Sequence, residues 1–222
     1  MGSLCQGGRV LRIVGLVLVV AGLSVLGWLG WQYWGTNWQS QQRHDDVTAT
    51  LEKTWTSGQP TAETEFGEAT AILRIPRFGD DWSVPVLSGS SDTVLASGVG
   101  HLDGTAEPGE GGNVALAGHR VTHGEPFAGI RDLRPGDEVE VETRDATYTY
   151  VLDTGGHDLD VPFTDTWVLD ERPRNPDGGT GPTDAAELIT LVTCAEVFQT
   201  DDRTVVFGHL KSSAPRLAPA SR

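Results

Sequence analysis

Apolar positions follow two regimes along the chain. Residues 13–31 hold a charge-free apolar run of about 19 residues, enough to span a bilayer as a helix. Beyond residue 69 the apolar residues come in short β-branched runs cut by Gly, Pro and Asp. Residues 71–75 (AILRI) predict a strand ending at Pro76, and 82–87 (WSVPVL) a second, with Pro85 marking an edge or a bulge. Ser91 and Asp92 cap a short helix through Ala96. A Gly-rich loop, 98–112, carries His101, and the apolar strand after it ends at His119. Residues 126–133 read as a short helical turn. Val139 and Val141 then alternate with acids, and Asp145-Ala146 joins that strand to 147–154 as a hairpin. Residues 188–194 and 205–207 predict two more strands, joined by the polar AEVFQTDD. Short strands with only brief helices imply an all-β barrel rather than a βαβ fold.

The same pattern divides the chain. Arg9 and Arg12 precede the apolar run, and Trp28, Trp31, Tyr33, Trp34 and Trp38 cluster at its far end. Positive-inside bias and an aromatic belt make 1–12 a cytoplasmic N-terminus and 13–34 a transmembrane signal anchor. A cleaved signal peptide fits less well, because the run is long for one and passes into Trp-rich sequence without an A-x-A site. Residues 35–68 are polar and mixed; they read as an extracellular stalk, with a weakly periodic helix at 46–55 and a solvated His44. The folded domain is 69–211, and 212–222 is a Pro/Ala/Ser tail without core residues, expected to be disordered.

Composition narrows the partners. Sixteen basic against thirty-one acidic residues give a formal charge of −15, which argues against nucleic acid. The two cysteines, Cys5 and Cys194, fall on opposite sides of the expected membrane span, so no disulfide framework is expected.

Candidate chemistry lies at strand ends. Cys194 closes one apolar strand and Arg203 opens the next, which offers a nucleophile and a permanent cation where charge develops on a carbonyl oxygen. His119, at the end of NVALAGH, supplies a candidate acid/base. A zinc site from His101, His119, His123 and Cys194 would need His119 and His123 on one helical face, and GHRVTHGEP leaving a strand is a poor helix; no metal is expected. The bland alternative is a membrane-tethered β-domain that binds wall components, with Cys194 merely buried.

TLVTC at 190–194, an Arg nine positions on, and the upstream LAGHR at 116–120 together resemble the sortase family, membrane-anchored cysteine transpeptidases of Gram-positive bacteria. The resemblance runs from about residue 69 to 210. It implies an eight-stranded sortase-type β-barrel with short helices, behind the N-terminal transmembrane helix. It implies that Cys194 attacks the Thr–Gly carbonyl of an LAXTG- or LPXTG-type sorting signal, that Arg203 stabilises the oxyanion, and that His119 moves the proton, without a cofactor. The implied partners are secreted proteins bearing such a signal and a peptidoglycan-precursor amine. Thr193, His123 and His101 are the implied substrate-groove residues, His101 in an accessory or structural role. The long loop 171–185 stands where sortases build part of the groove. The anchor and the GEPF after HRVTH look most like class E, the housekeeping class of actinobacteria, which prefers LAXTG-type signals. Two positions depart from that class: His123 where Tyr is usual, and Ala195-Glu196 where a His-Pro or Asn-Pro pair is common. Signal preference stays open on that account, as does hydrolysis of the acyl-enzyme by water.

Overall fold

Alternation sets the two faces of the sheet. In β6 (Glu138–Glu142) the valines at 139 and 141 are fully buried and the glutamates between them are half-exposed, so one face packs inward and the other meets water. A computed structural model describes residues 4–31, 36–194 and 201–216. The other strands are β1 (Ala62–Thr64), β2 (Gly67–Arg74), β3 (Ser83–Ser88), β4 (Val99–His101), β5 (Gly112–Ala117), β7 (Ala146–Leu152), β8 (Asp160–Pro162), β9 (Glu187–Cys194) and β10 (Asp202–Pro215).

The order β2-β3-β4-β5-β9-β10-β7-β6 closes on itself, because Ile72, Leu73 and Arg74 of β2 pair with Glu142, Val141 and Glu140 of β6. Eight strands thus make a closed barrel, as expected. β1 and β8 lie outside the ring, against β2 and β10. Most pairs are antiparallel, but β3–β4 and β5–β9 are parallel. The interior is filled by Leu73, Val86, Leu116, Tyr150, Ile189, Leu191 and Val206 among others. The short helix α3 (Asp92–Leu95) starts where expected, with the Ser91 hydroxyl accepting from the Val94 N–H at 3.3 Å.

Two expectations are corrected, and a third finds no support. The first is the stalk. Residues 36–56 form one helix, α2 (Thr36–Thr56), and it packs on the barrel instead of standing off from it. Val47, Leu51 and Trp55 are buried with Ala69, Ile72, Leu87 and Val94. Burial of Val47 and Leu51 alone contributes roughly 1.5–3 kcal/mol each. That outweighs the partly buried contact of Arg43 over the Phe66 ring at 5.1 Å, a type worth about 0.5–2 kcal/mol. The second is the tail. β10 continues to Pro215, with Ser212–Pro215 in register against residues 146–149 of β7. Arg216 pairs with Glu142 and lies 4.5 Å over the Trp55 ring, which ties this end to α2. Residues 217–222 of the expected tail lie outside the described residues. The third is the span at 13–34. α1 (Leu4–Gly30) is helical, but among the described residues no helix is long and apolar enough to cross a membrane. Residues 32–35 of the expected anchor, with Tyr33 and Trp34, lie outside the described residues.

His44 is also not solvated. It is 8% exposed on the buried side of α2, and its Nε2 has no hydrogen-bond partner among the described residues. Burial pulls its pKa down to about 4, only partly opposed by Asp45. Between about pH 4 and 6.5 the unfolded chain therefore takes up a proton that the folded chain refuses. The contribution of neutral His44 is complete above pH 6.5 and is lost as pH falls, by about 3 kcal/mol at pH 4. Melting temperatures of the wild type and His44→Leu should diverge across that window, the wild type falling faster. Parallel pH profiles would show that His44 is protonated without cost.

Candidate active site

Strand register brings the three expected residues into one row. β5 runs parallel to β9 with Ala117 opposite Val192, so the positions two further on, His119 and Cys194, leave the barrel side by side. β9 pairs antiparallel with β10, and Cys194 stands directly opposite Arg203. Arg203 in turn faces Val161 of β8. Neighbouring strands lie about 4.8 Å apart, so His119, Cys194 and Arg203 occupy adjacent strand ends at one mouth of the barrel.

Two buried contacts fix the His119 end. Gly118 donates its N–H to the Val192 carbonyl at 3.2 Å, and its own carbonyl accepts the Thr193 hydroxyl at 2.6 Å. Thr193 is only 3% exposed, so the expectation that it lines the groove is corrected: its hydroxyl ties β5 to β9 directly between His119 and Cys194. Gly118 has no room for a side chain, because an added Cβ would stand 2.8 Å from the buried Phe127 ring. The Phe127 N–H donates to the His119 carbonyl at 3.0 Å. Burial and the neighbouring His123 lower the His119 pKa below its ordinary value, and Asp92 opposes them.

His123 reaches His119 by a route that sequence spacing did not suggest. No helix forms there. Thr122, His123 and Glu125 all take left-handed φ values, 66°, 53° and 51°, and this tight turn folds the His123 ring onto His119 with centroids 4.9 Å apart and planes 28° from parallel. Its Nδ1 lies 2.9 Å from the Thr122 hydroxyl. His101 is buried at the end of β4, with Nε2 2.9 Å from the Ala106 carbonyl and Nδ1 3.9 Å from Glu107, so it shapes the 102–107 loop. Among the described residues no three metal-ligating side chains come together.

Beside Arg203 lies a hollow of about 170 Å³, lined by Leu102, Val161, Phe163, Val168, Val192 and Arg203. The Arg203 guanidinium sits 6.0 Å from the Phe163 ring centre and donates to the Asp202 carbonyl at 3.1 Å. A largely apolar recess, with the Arg203 cation and the Asp165 carboxylate also on its lining, suits an extended peptide that buries an apolar side chain and presents a carbonyl to the cation. The sequence pattern over 161–169 assigns these residues no role. Their one signal is Phe163, an aromatic residue 58% exposed next to a strand. The 171–185 loop does not line this hollow; Arg172, Arg174, Thr183 and Asp184 from it line a separate recess with Leu188, near the start of β9. Ala195-Glu196, the departure from the class E pattern, lies outside the described residues.

With this geometry in place, comparison with known proteins is informative. A family model for the sortase domain matches residues 73–211. The chain is 36% identical over 216 residues to the sortase SrtE1 of Streptomyces coelicolor; the match covers 92% of this chain and 58% of that protein's length. The solved sortase E of Streptomyces avermitilis is 38% identical with a TM-score of 0.58, covering 68% of this chain and 93% of its own. The sortase E1 of Streptomyces coelicolor, solved with a tripeptide in its active site, is 38% identical with a TM-score of 0.57, covering 70% and 94%. The barrel and these relatives agree, and the chain belongs to the sortase family, with class E members among its relatives.

Proposed function

We propose that the chain cleaves an LAXTG- or LPXTG-type sorting signal between Thr and Gly and joins the new C-terminus to a peptidoglycan-precursor amine. The observation that carries this reading is the register that sets Cys194 opposite Arg203 and beside His119, next to an apolar hollow. The Cys194 thiolate adds to the threonine carbonyl, and Arg203 balances the charge that grows on its oxygen. As the intermediate collapses, the C–N bond breaks and His119 gives a proton to the departing glycine amine, which leaves a thioester. An incoming amine attacks that thioester, loses a proton to His119 and expels the thiolate, so that the enzyme returns to its starting state. The hollow beside Arg203 takes the apolar residue of the signal. A peptide substrate accords with the tripeptide in the active site of the Streptomyces coelicolor relative.

The cell membrane, with the N-terminus in the cytoplasm and the barrel outside, is the location we assign. It is supported by the charge-free run 13–31, whose large apolar side chains at 13–28 are 50–66% exposed, and by Arg9 and Arg12 before it. Protease added to intact protoplasts should then destroy the barrel; a protected barrel would refute this orientation.

The function itself is tested by incubating the full chain with LAXTG and LPXTG peptides, with and without an added amine, and following products by mass spectrometry. The expected result is amine-joined product and an acyl adduct on Cys194. Cleavage without joining in the presence of several amines would replace transfer by hydrolysis. No adduct, together with an inert Cys194, would leave a wall-binding module.

A further inference from the structure

The turn that carries His123 is an unusual piece of backbone. Four consecutive residues, Thr122, His123, Gly124 and Glu125, have left-handed φ values between 51° and 81°, and three of them carry side chains that disfavour it. Such a conformation persists only where its surroundings hold it. Part of the hold is local: the Glu125 carboxylate accepts the Thr122 N–H at 3.2 Å, and the Glu125 N–H donates to the Thr122 carbonyl at 3.1 Å.

The rest comes from α2, more than eighty residues earlier in the chain. Asn37 donates from Nδ2 to the same Glu125 oxygen at 2.8 Å, and its Oδ1 accepts the Gly124 N–H at 3.2 Å. One primary amide thus grips the turn at a side chain and at the backbone. The helix also lies close against that backbone: an added Cβ on Gly124 would stand 2.7 Å from the His44 ring and 3.2 Å from Ser40. At its other end α2 is seated on the barrel by Val47, Leu51 and Trp55. A rigid helix therefore runs from that apolar seat to the turn.

We propose that α2 is part of the catalytic apparatus: Asn37 is a positioning residue that clamps the Thr122–Glu125 turn and thereby holds the His123 ring against His119. The clamp sets the environment in which His119 gains and loses its proton. The titratable groups that act on His119 are His123 on the turn and Asp92 at the start of α3; Glu125 lies on the same turn, and His44 of α2 lies against its Gly124. With the turn released, His123 leaves the ring stack and water reaches His119. Both changes raise the pH at which His119 titrates, since burial and His123 are what lower it. The inference rests on His119 being the acid/base of the proposed reaction.

The hydrogen-bond geometry supplies its own test. Asn37→Asp keeps an acceptor for the Gly124 N–H but replaces the donor to Glu125 by a second carboxylate. Adding Glu125→Gln restores a donor and an acceptor in reversed order, and the oxygen of the new amide can still accept the Thr122 N–H. In the full chain in detergent, labelled at histidine and assigned with His119→Gln, NMR titration of His119 should move to higher pH in Asn37→Asp, and likewise in Asn37→Ala, which adds no charge of its own. It should return to the wild-type value in the double variant. Peptide-transfer turnover should fall by about tenfold in the single variant and recover in the double one. A His119 titration unchanged by Asn37→Asp would overturn the clamp. So would a defect that persists in the double variant while the barrel melts at the wild-type temperature. If instead His119→Gln retains transfer, the acid/base reading fails, and the titration still reports whether α2 holds the turn.

Discussion

Cys194→Ala abolishes transfer, lowering turnover by at least about 10⁴-fold, because the alanine methyl cannot act as a nucleophile. The residue ends β9, directly opposite Arg203 in the antiparallel ladder and level with His119 across the parallel pair β5–β9. A change from thiol to methyl at the last residue of a strand leaves the ladder bonds of Thr193 and Val192 in place, so the melting temperature should stay within a few degrees of the wild type. The assay separates chemistry from binding: the acyl adduct seen by mass spectrometry on the wild type vanishes in Cys194→Ala, while peptide binding persists. A variant that still forms amine-joined product would remove Cys194 from the mechanism.

Arg203→Ala lowers turnover by about 10²–10³-fold, the usual cost of removing one donor to a developing oxyanion. The expected signature is a fall in kcat and kcat/KM together, since the interaction strengthens only as charge appears on the carbonyl oxygen. Arg203 lies near the Phe163 ring and donates to the Asp202 carbonyl at the groove rim. Arg203→Lys is the informative companion. It keeps the positive charge but loses the planar fork, and should recover only part of the activity. Full activity in Arg203→Ala would mean that backbone N–H groups alone carry the oxyanion. A rise in KM with kcat unchanged would make Arg203 a substrate-binding residue with no part in the chemistry.

Much of the site was legible because its residues sit where local patterns stop. Cys194 ends an apolar run, Arg203 begins the next, and His119 stands two positions after the last residue of NVALA. Such boundaries are set by short-range alternation and β-branching, which need no knowledge of the partner strand. The β6–β7 hairpin was legible for the same reason, with the turn at Thr143–Ala146 closing valines onto tyrosines in register. Family resemblance then supplied what alternation lacks, that three distant strand ends meet.

Other features depended on contacts no local pattern encodes. The buried stripe of α2 is Ser40, His44, Val47, Leu51 and Trp55, spaced as one helical face, but its first two members are polar and hide the period. Residues 212–215 are Ser, Ser, Ala and Pro, with no strand signal of their own; they are extended because β7 offers them a ladder. Thr193 looked like a groove residue until the Gly118 carbonyl appeared as its buried partner. His123 reaches His119 only through a left-handed turn held by Asn37, two interactions separated by more than eighty residues. Residue type and nearest-neighbour pattern were enough to place the candidate residues at strand ends, since both are local properties of the chain. Tertiary structure alone decided what holds His119 in place. That hold is a matter of burial and of hydrogen bonds between distant segments, and such groups become partners only after the chain has closed the barrel.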